Sequence, residues 1–366
     1  MHNKIFSINA GFRYIFLSTG MLFILLLIYT VLMGEVVAFD KNDRKNAVYA
    51  INSPRANNSY FSFSRKLENG DNVSVVFNLK DKSWKVFKFA GSVAIYPKPS
   101  QFDNDVLYFT YVGKNADNQK YWSIIKCTVD DSYCQTISSS YKIIGNFTEI
   151  ANKGYLFSRR LIENNYKGTD IFLYDPLGNF TRKTEFLFYQ VGSFNVLKDQ
   201  IVFFAYAPKK HLLKRYFPET TLVHDKIEGV FSFPIDAEMN LKIDPSIFQP
   251  LIKTDKHLSK PSVIDQSTYM AVLQRATPKG PRYRYDLAIY DLRSGELYDL
   301  IKTEDFSFSR PTLLKDGRVI YLEYVNKTYK IYSYTIETKQ VELLTTLSAN
   351  GIANANIQTL QIAKEL

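Results

Sequence analysis

Residues 309–344, SRPTLLKDGRVIYLEYVNKTYKIYSYTIETKQVELL, decide the fold. Arg310–Leu314 runs into a Lys315-Asp316-Gly317 turn, and Val319–Val325 then alternates along its length. A short polar loop gives way to Lys330–Thr335, which alternates again, and after a turn at Glu337-Thr338-Lys339 the stretch Gln340–Leu344 closes the unit. Period-2 patterning between turn residues predicts four short antiparallel strands. One such unit cannot cover its own apolar faces, so copies must stack on it.

The chain upstream supplies those copies. Second strands align at Tyr60–Lys66, Val106–Val112, Tyr155–Arg160, Ile201–Tyr206, Tyr269–Gln274 and Val319–Val325. Third strands align at Val73–Leu79, Tyr121–Thr128, Thr169–Tyr174, Gly229–Ile235, Tyr285–Tyr290 and Lys330–Thr335. Successive second strands start 46, 49, 46, 68 and 50 residues apart, which is the spacing of β-propeller blades. The expected fold is therefore all-β, a β-propeller of six four-stranded blades, with Asn356–Ala363 as a closing strand beside the first blade. A seventh, incomplete blade is the alternative. The fourth repeat is stretched by a connection at 207–228 between its second and third strands, longer than compact domains usually carry.

The segments KDGRVIYLEY and YKIYSYTIETKQVELLT resemble the TolB-type, WD40-like propeller repeat, and DLAIYDLRSGELYDLI is similar to the second half of that repeat. The resemblance covers residues 47–347 and is strongest in the last two repeats; KDQ, NKG and FDND stand where the family has its PDG turn. It implies a fold rather than an activity, because that pattern is structural. It also implies a bacterial envelope setting.

Two further features bear on location. Tyr14–Gly34 carries no charged residue, and its 21 residues rising about 1.5 Å each reach the thickness of a hydrocarbon core. Lys4 and Arg13 precede it, while Glu35 and Asp40 are among the first charges after it. Positive-inside orientation then divides the chain into a cytoplasmic segment 1–13, a transmembrane helix 14–34, a linker 35–46 and an extracytoplasmic propeller 47–366 at the inner membrane. The rival is a signal peptide cleaved near Val36-Val37-Ala38. Both readings export the propeller to an oxidising compartment, where Cys127 and Cys134, facing each other across a hairpin centred on Asp130-Asp131, are expected to form a disulfide.

Catalytic signatures are sparse. No G-x-S-x-G elbow accompanies the propeller, as it would in prolyl-oligopeptidase-type hydrolases. The four histidines, at 2, 211, 224 and 257, show no metal-ligand spacing. The carboxylates Asp130, Asp131, Asp175, Asp236 and Asp291 recur at one turn position, where Asp bonds its own backbone. Asn57, Asn72, Asn146, Asn179 and Asn326 begin N-x-S/T triplets, which matter only in a glycosylating host. The formal net charge of +10 favours acidic partners, and no nucleic-acid motif is present. Cations concentrate in the loops between second and third strands: Lys209, Lys210, Lys214, Arg215, Arg275, Lys279, Arg282 and Arg284, extended by Lys114, Lys120, Lys167, Lys226 and Lys327. The expectation is a non-enzymatic binding or scaffold module without cofactor or metal, whose cationic loop face receives an acidic protein or an anionic glycan or lipid. The alternative is an enzyme acting on glycan or peptide in the central pocket.

Alkaline phosphatase fused after Leu366 in a bacterial host should be active, and a cytoplasmic reporter at the same position silent. The reverse pattern would contradict an exported propeller.

Overall fold

The computed structural model describes residues 52–92, 94–130, 133–140, 144–150, 153–163, 166–184, 190–197, 200–206, 228–236, 238, 251–264, 267–276, 285–302 and 311–362. The chain divides into Met1–Tyr49 and Ala50–Leu366. The expected membrane span Tyr14–Gly34 lies outside the described residues, and no described helix is long and apolar enough to cross a membrane.

Among the described residues the strands fall into six successive antiparallel units, the first two joined in one nine-stranded sheet. The first is β1 (Asn52–Ala56), β2 (Tyr60–Lys66), β3 (Asn72–Asn78) and β4 (Trp84–Phe89). The second is β5 (Ala94–Pro99), β6 (Val106–Lys114), β7 (Lys120–Thr128) and β8 (Tyr133–Ser140). The third is β9 (Ile144–Ile150), β10 (Gly154–Glu163), β11 (Tyr166–Tyr174) and β12 (Phe180–Arg182). The fourth shows β13 (Gln190–Val196), β14 (Gln200–Tyr206) and β15 (Glu228–Pro234). The fifth is β16 (Leu258–Ser262), β17 (Tyr269–Arg275), β18 (Tyr285–Asp291) and β19 (Leu297–Ile301). The sixth is β20 (Thr312–Leu313), β21 (Arg318–Val325), β22 (Thr328–Thr335) and β23 (Gln340–Ser348).

The middle strands are buried along consecutive residues rather than on alternate ones, because each unit is covered on both faces. The sixth unit shows why. Val319 and Tyr321 join Ala271, Leu287 and Ile289 of the fifth unit in one core. Their neighbours Ile320 and Leu322 turn the other way and join Phe61, Phe63, Val73 and Val75 of the first unit, with the Phe63 and Tyr329 rings 4.8 Å apart. The last unit therefore packs against the first.

The inner strands are joined by side chains that reach the next unit. Lys98 Nζ donates to the Phe147 carbonyl at 2.7 Å, and Asn195 Nδ2 donates to the Pro261 carbonyl at 2.8 Å while its Oδ1 accepts from Val263 N. Ser262 Oγ accepts from Leu313 N at 2.8 Å. Each of these three residues directly follows a Pro or Phe of the inner strand: Pro97, Phe194 and Pro261. In β13 and β16 a bulge falls at that point, which frees the side chain from its own ladder. Asn57 Nδ2 adds a bond to the Ser100 carbonyl at the turn below. Thr148 and Thr312 occupy the corresponding place after Phe147 and Pro311, both buried, and among the described residues their hydroxyls find no partner. Those two positions face the boundaries between units three and four and between units six and one.

At the second of these boundaries the C-terminal segment supplies a bridge. From β23 the chain enters a short helix, α1 (Ala349–Ala353), capped by Ser348 Oγ accepting from Gly351 N. It then forms β24 (Ile357–Ile362), parallel to β4 over Ile357–Leu360 and to β8 at Gln361 and Ile362. The expected closing strand at Asn356–Ala363 thus lies beside the first unit, but it completes no unit. It joins the outer edges of units one and two into one nine-stranded sheet. Cys127 and Cys134 pair in register, Cα atoms 4.4 Å apart, and form the expected disulfide in the core beneath Leu360 and Ile362.

Four sequence-based loop assignments change: Lys114 and Lys120 are the last residue of β6 and the first of β7, paired with each other, and Lys167 and Arg275 also move into strands. The third-unit strands β10 and β11 extend until Glu163 pairs with Tyr166, which places Lys167, opposite Ile162, in a strand. Arg275 is likewise the last residue of β17, paired with Tyr285.

Replacing Asn195 by Ala leaves Val263 N and the Pro261 carbonyl buried without partners and should lower stability by about 2–3 kcal/mol in urea unfolding. Thr148→Val and Thr312→Val remove hydroxyls that bond nothing, and each should be neutral within about 1 kcal/mol or stabilising. Equal losses in all three variants would contradict the lacing.

Candidate binding surfaces

Loops between second and third strands of a unit emerge on one face, and turns between first and second or third and fourth strands emerge on the other. On the first face the β6–β7 hairpin is held by Asn115, whose Oδ1 accepts from Gln119 N and whose carbonyl accepts from Asn118 N. This hairpin sets Lys114 directly opposite Lys120, both exposed. Like charges across a strand pair repel, so the arrangement gives up a little stability. In the sixth unit, Asn326 and Lys327 form a two-residue turn with φ of 49° and 60°, which matches strand twist and leaves Lys327 exposed.

Of the remaining expected cations, Lys209, Lys210, Lys214, Arg215, Lys226, Lys279, Arg282 and Arg284 lie outside the described residues. Arg275 is half-buried; its amide donates to the His257 carbonyl, and the His257 ring meets Tyr285 edge-on at 5.9 Å. His257 is thus a packed ring beside a strand end. Among the described residues no group of His, Cys, Asp or Glu is arranged to hold a metal ion.

On the opposite face the recurrent carboxylates build turns. Asp175 Oδ1 accepts from Leu177 N and Asn179 N while Oδ2 accepts from Asn179 Nδ2, and the Asn179 contacts hold its carboxyl below the usual range. Asp291 receives Arg293 N and Ser294 N and is lowered first by the Arg293 amide. Both stay ionised at neutral pH.

This face also carries a cleft of about 410 Å³ between units two and three. Its walls are Gln135, Thr136 and Ile137 of β8, Glu149, Ile150, Gly154 and Tyr155 around the first turn of unit three, and Tyr174, Asp175 and Pro176 at the end of β11. Glu149 is fixed by two hydroxyls: Ser100 donates at 2.6 Å and Tyr108 at 2.9 Å, with Tyr155 OH 3.3 Å beyond. Burial raises the Tyr108 hydroxyl well above its usual pKa and the Tyr155 hydroxyl above its own, so both stay protonated. Gly154 sits at φ 99°, and a Cβ there would come within 2.0 Å of the Tyr174 carbonyl oxygen, so only glycine lets the two strands meet at the cleft floor. Reading the sequence singled out Asp175 as a turn residue but missed Glu149 and Tyr155. The signal that could have found them is the unequal register of the inner strands, visible only once Phe147 is aligned with Pro97. A second cleft, about 630 Å³, lies between Trp84–Val86 and the C-terminal segment at Gly351, Ala355, Asn356 and Gln358.

No family model matches the chain, and no curated protein matches it. Among solved structures, TolB from Acinetobacter baumannii is 10% identical, with 77% of this chain and 62% of that chain covered and a TM-score of 0.56. The β-propeller domain of the Trilobed protease from Pyrococcus furiosus is 13% identical over 80% of this chain and 84% of that chain, with a TM-score of 0.43. The acylaminoacyl peptidase of Pyrococcus horikoshii is 12% identical over 82% of this chain and 47% of that one, with a TM-score of 0.45. The chain thus spans less than two thirds of the TolB chain it resembles. The likeness to TolB concerns the fold alone: this is an all-β chain with a TolB-like β-propeller fold.

Proposed function

We propose that the six units are the blades of a six-bladed propeller, anchored by Tyr14–Gly34 with its N-terminus cytoplasmic, that works outside the cytoplasm as a binding or scaffold module of an envelope complex. Its ligand is acidic: a protein surface, or an anionic glycan or lipid headgroup, received on the cationic loop face. The observation that carries this reading is the opposition of Lys114 and Lys120 on one rigid hairpin. An anion placed between two like charges relieves their repulsion and gains from both, so a mildly unfavourable pair in the free protein becomes favourable in the complex. Lys327 and the cationic stretches at 209–215 and 279–284 belong to equivalent loops and extend the same charge.

Full-length protein in detergent should bind heparin and vesicles containing phosphatidylglycerol, and the binding should weaken as salt rises from 50 to 300 mM, on the order of the screening expected for exposed charges. Lys114→Glu with Lys120→Glu should reduce capture by about tenfold, or about 1.4 kcal/mol. Salt-insensitive capture that survives the double change, with the melting temperature preserved, would contradict the reading.

A further inference from the structure

We infer that the Cys127–Cys134 disulfide and the C-terminal strand β24 form a redox-sensitive latch. The bonded cysteines keep β24 seated between units one and two, and the seated strand keeps reductants from the disulfide. The latch is independent of the anion-binding face. Three features of the junction support it. First, β24 lands on the disulfide itself. Gln361 pairs with Tyr133 and Ile362 with Cys134. The ladder of β7 with β8 runs from Trp122 opposite Ser140 to Cys127 opposite Cys134, so the bond clamps the end of the hairpin that receives the strand. Second, the sulfurs are sealed where three elements meet. Cys127 is 3% exposed and Cys134 is 2% exposed. Their core holds Phe87 and Phe89 of unit one, Ile125 of unit two and Leu360 of β24, with Ile362 packed against it. Third, β24 is lightly held. Leu360 is the one fully buried residue in Ile357–Ile362, and the pairing with both neighbours is parallel. A short strand with so little apolar burial opens at a lower free energy than the cores of the units. Lys85 of β4 also reaches Asp130 of the hairpin at 2.9 Å, but an exposed ion pair adds little to the fastening.

The reductant is a dithiol. One of its thiolates attacks a sulfur of the disulfide, forms a mixed disulfide and releases the other cysteine; its second thiol then displaces the first cysteine. Two electrons and two protons pass to the protein, leaving Cys127 and Cys134 as thiols and the reductant as a disulfide. Attack needs access to a sulfur, which burial denies while Leu360 and Ile362 cover the pair. In the other direction, two thiols carry two added hydrogens and need more room than the bonded pair, and a close-packed core resists added volume. Cys134 then shifts from Cys127, and Ile362 loses a fixed partner. Each state of the cysteines favours one state of the strand, so the coupling is reciprocal. Oxidation reverses the exchange and reseats β24, which joins units one and two.

The test uses full-length protein in detergent and reads each direction of the coupling. In the first, excess dithiothreitol is added without denaturant, and the free thiols are alkylated at intervals and counted by mass spectrometry. Leu360→Ser, which loosens the strand, should open the disulfide at least about tenfold faster than the unaltered protein. Val272→Ala, in the core between units four and five, is the control for general destabilisation and should stay within about twofold. Equal acceleration in both variants would mean that reduction waits for global unfolding, and would overturn the latch. In the second direction, hydrogen exchange compares the oxidised protein with the reduced protein and with the double variant Cys127→Ala, Cys134→Ala. Amides of Ile357–Ile362 should exchange at least about tenfold faster without the disulfide, while those of β14, β15, β17 and β18 stay within about twofold. Protection at Ile357–Ile362 that survives in both the reduced protein and the double variant would overturn the proposal. So would an equal loss in every unit.

Discussion

A hydrogen bond from one inner strand to the next is the interaction on which this structure depends. Inner strands of stacked sheets have their backbone groups turned toward a neighbour instead of water, and buried groups of this kind must find partners. Lys98, Asn195 and Ser262 provide them by reaching from units two, four and five into the next at corresponding places. Each of those residues is polar and nearly fully buried, which would be costly without its partner. The bonds also fix the height of one unit against the next. That alignment decides how Ala271 and Leu287 of unit five meet Val319 and Tyr321 of unit six, and hence whether the core between laced units is filled.

The same alignment shapes the cleft between units two and three. Ser100 and Glu149 belong to successive units, and their contact exists only because the inner strands of units two and three are held level by Lys98. The cleft beside them therefore inherits its shape from the ring and not from a loop. On the other face the cations ride on hairpins whose ends are set by turn geometry at Asn115–Gln119 and Asn326–Lys327.

Much of the fold was legible in the sequence because each repeat carries its own alternation and its own turn residues. Val319–Val325 and Tyr285–Tyr290 gave strand positions that the structure extends by only a residue or so. The opposed cysteines were legible because a hairpin register is a local property. What escaped was set by contacts between units. Lys98 and Asn195 look like ordinary polar strand residues until the inner strands are superposed. Glu149 looks like a charge near a turn, and its meeting with Ser100 spans 49 residues of sequence. Lys167 and Arg275 were placed in loops because polar residues suggest loop ends, whereas ladder pairing carries β10, β11 and β17 further. The closing segment was found at 357–362, but its path between β4 and β8 could not be read from periodicity, since parallel pairing leaves no turn signal.

The lacing is missing at Thr312, between the last unit and the first, and there α1 and β24 take its place. Ile352 and Leu360 are buried against the units they connect, so the C-terminal segment should carry the closure of the ring. Hydrogen exchange on a chain ending at Ser348 tests this most directly. The account predicts that amides of β2, β3, β21 and β22 lose protection while those of β14, β15, β17 and β18 keep theirs, because units four and five remain joined through Asn195 and Ser262 to their neighbours. Unchanged protection in β2 and β21, or an equal loss in all six units, would contradict it.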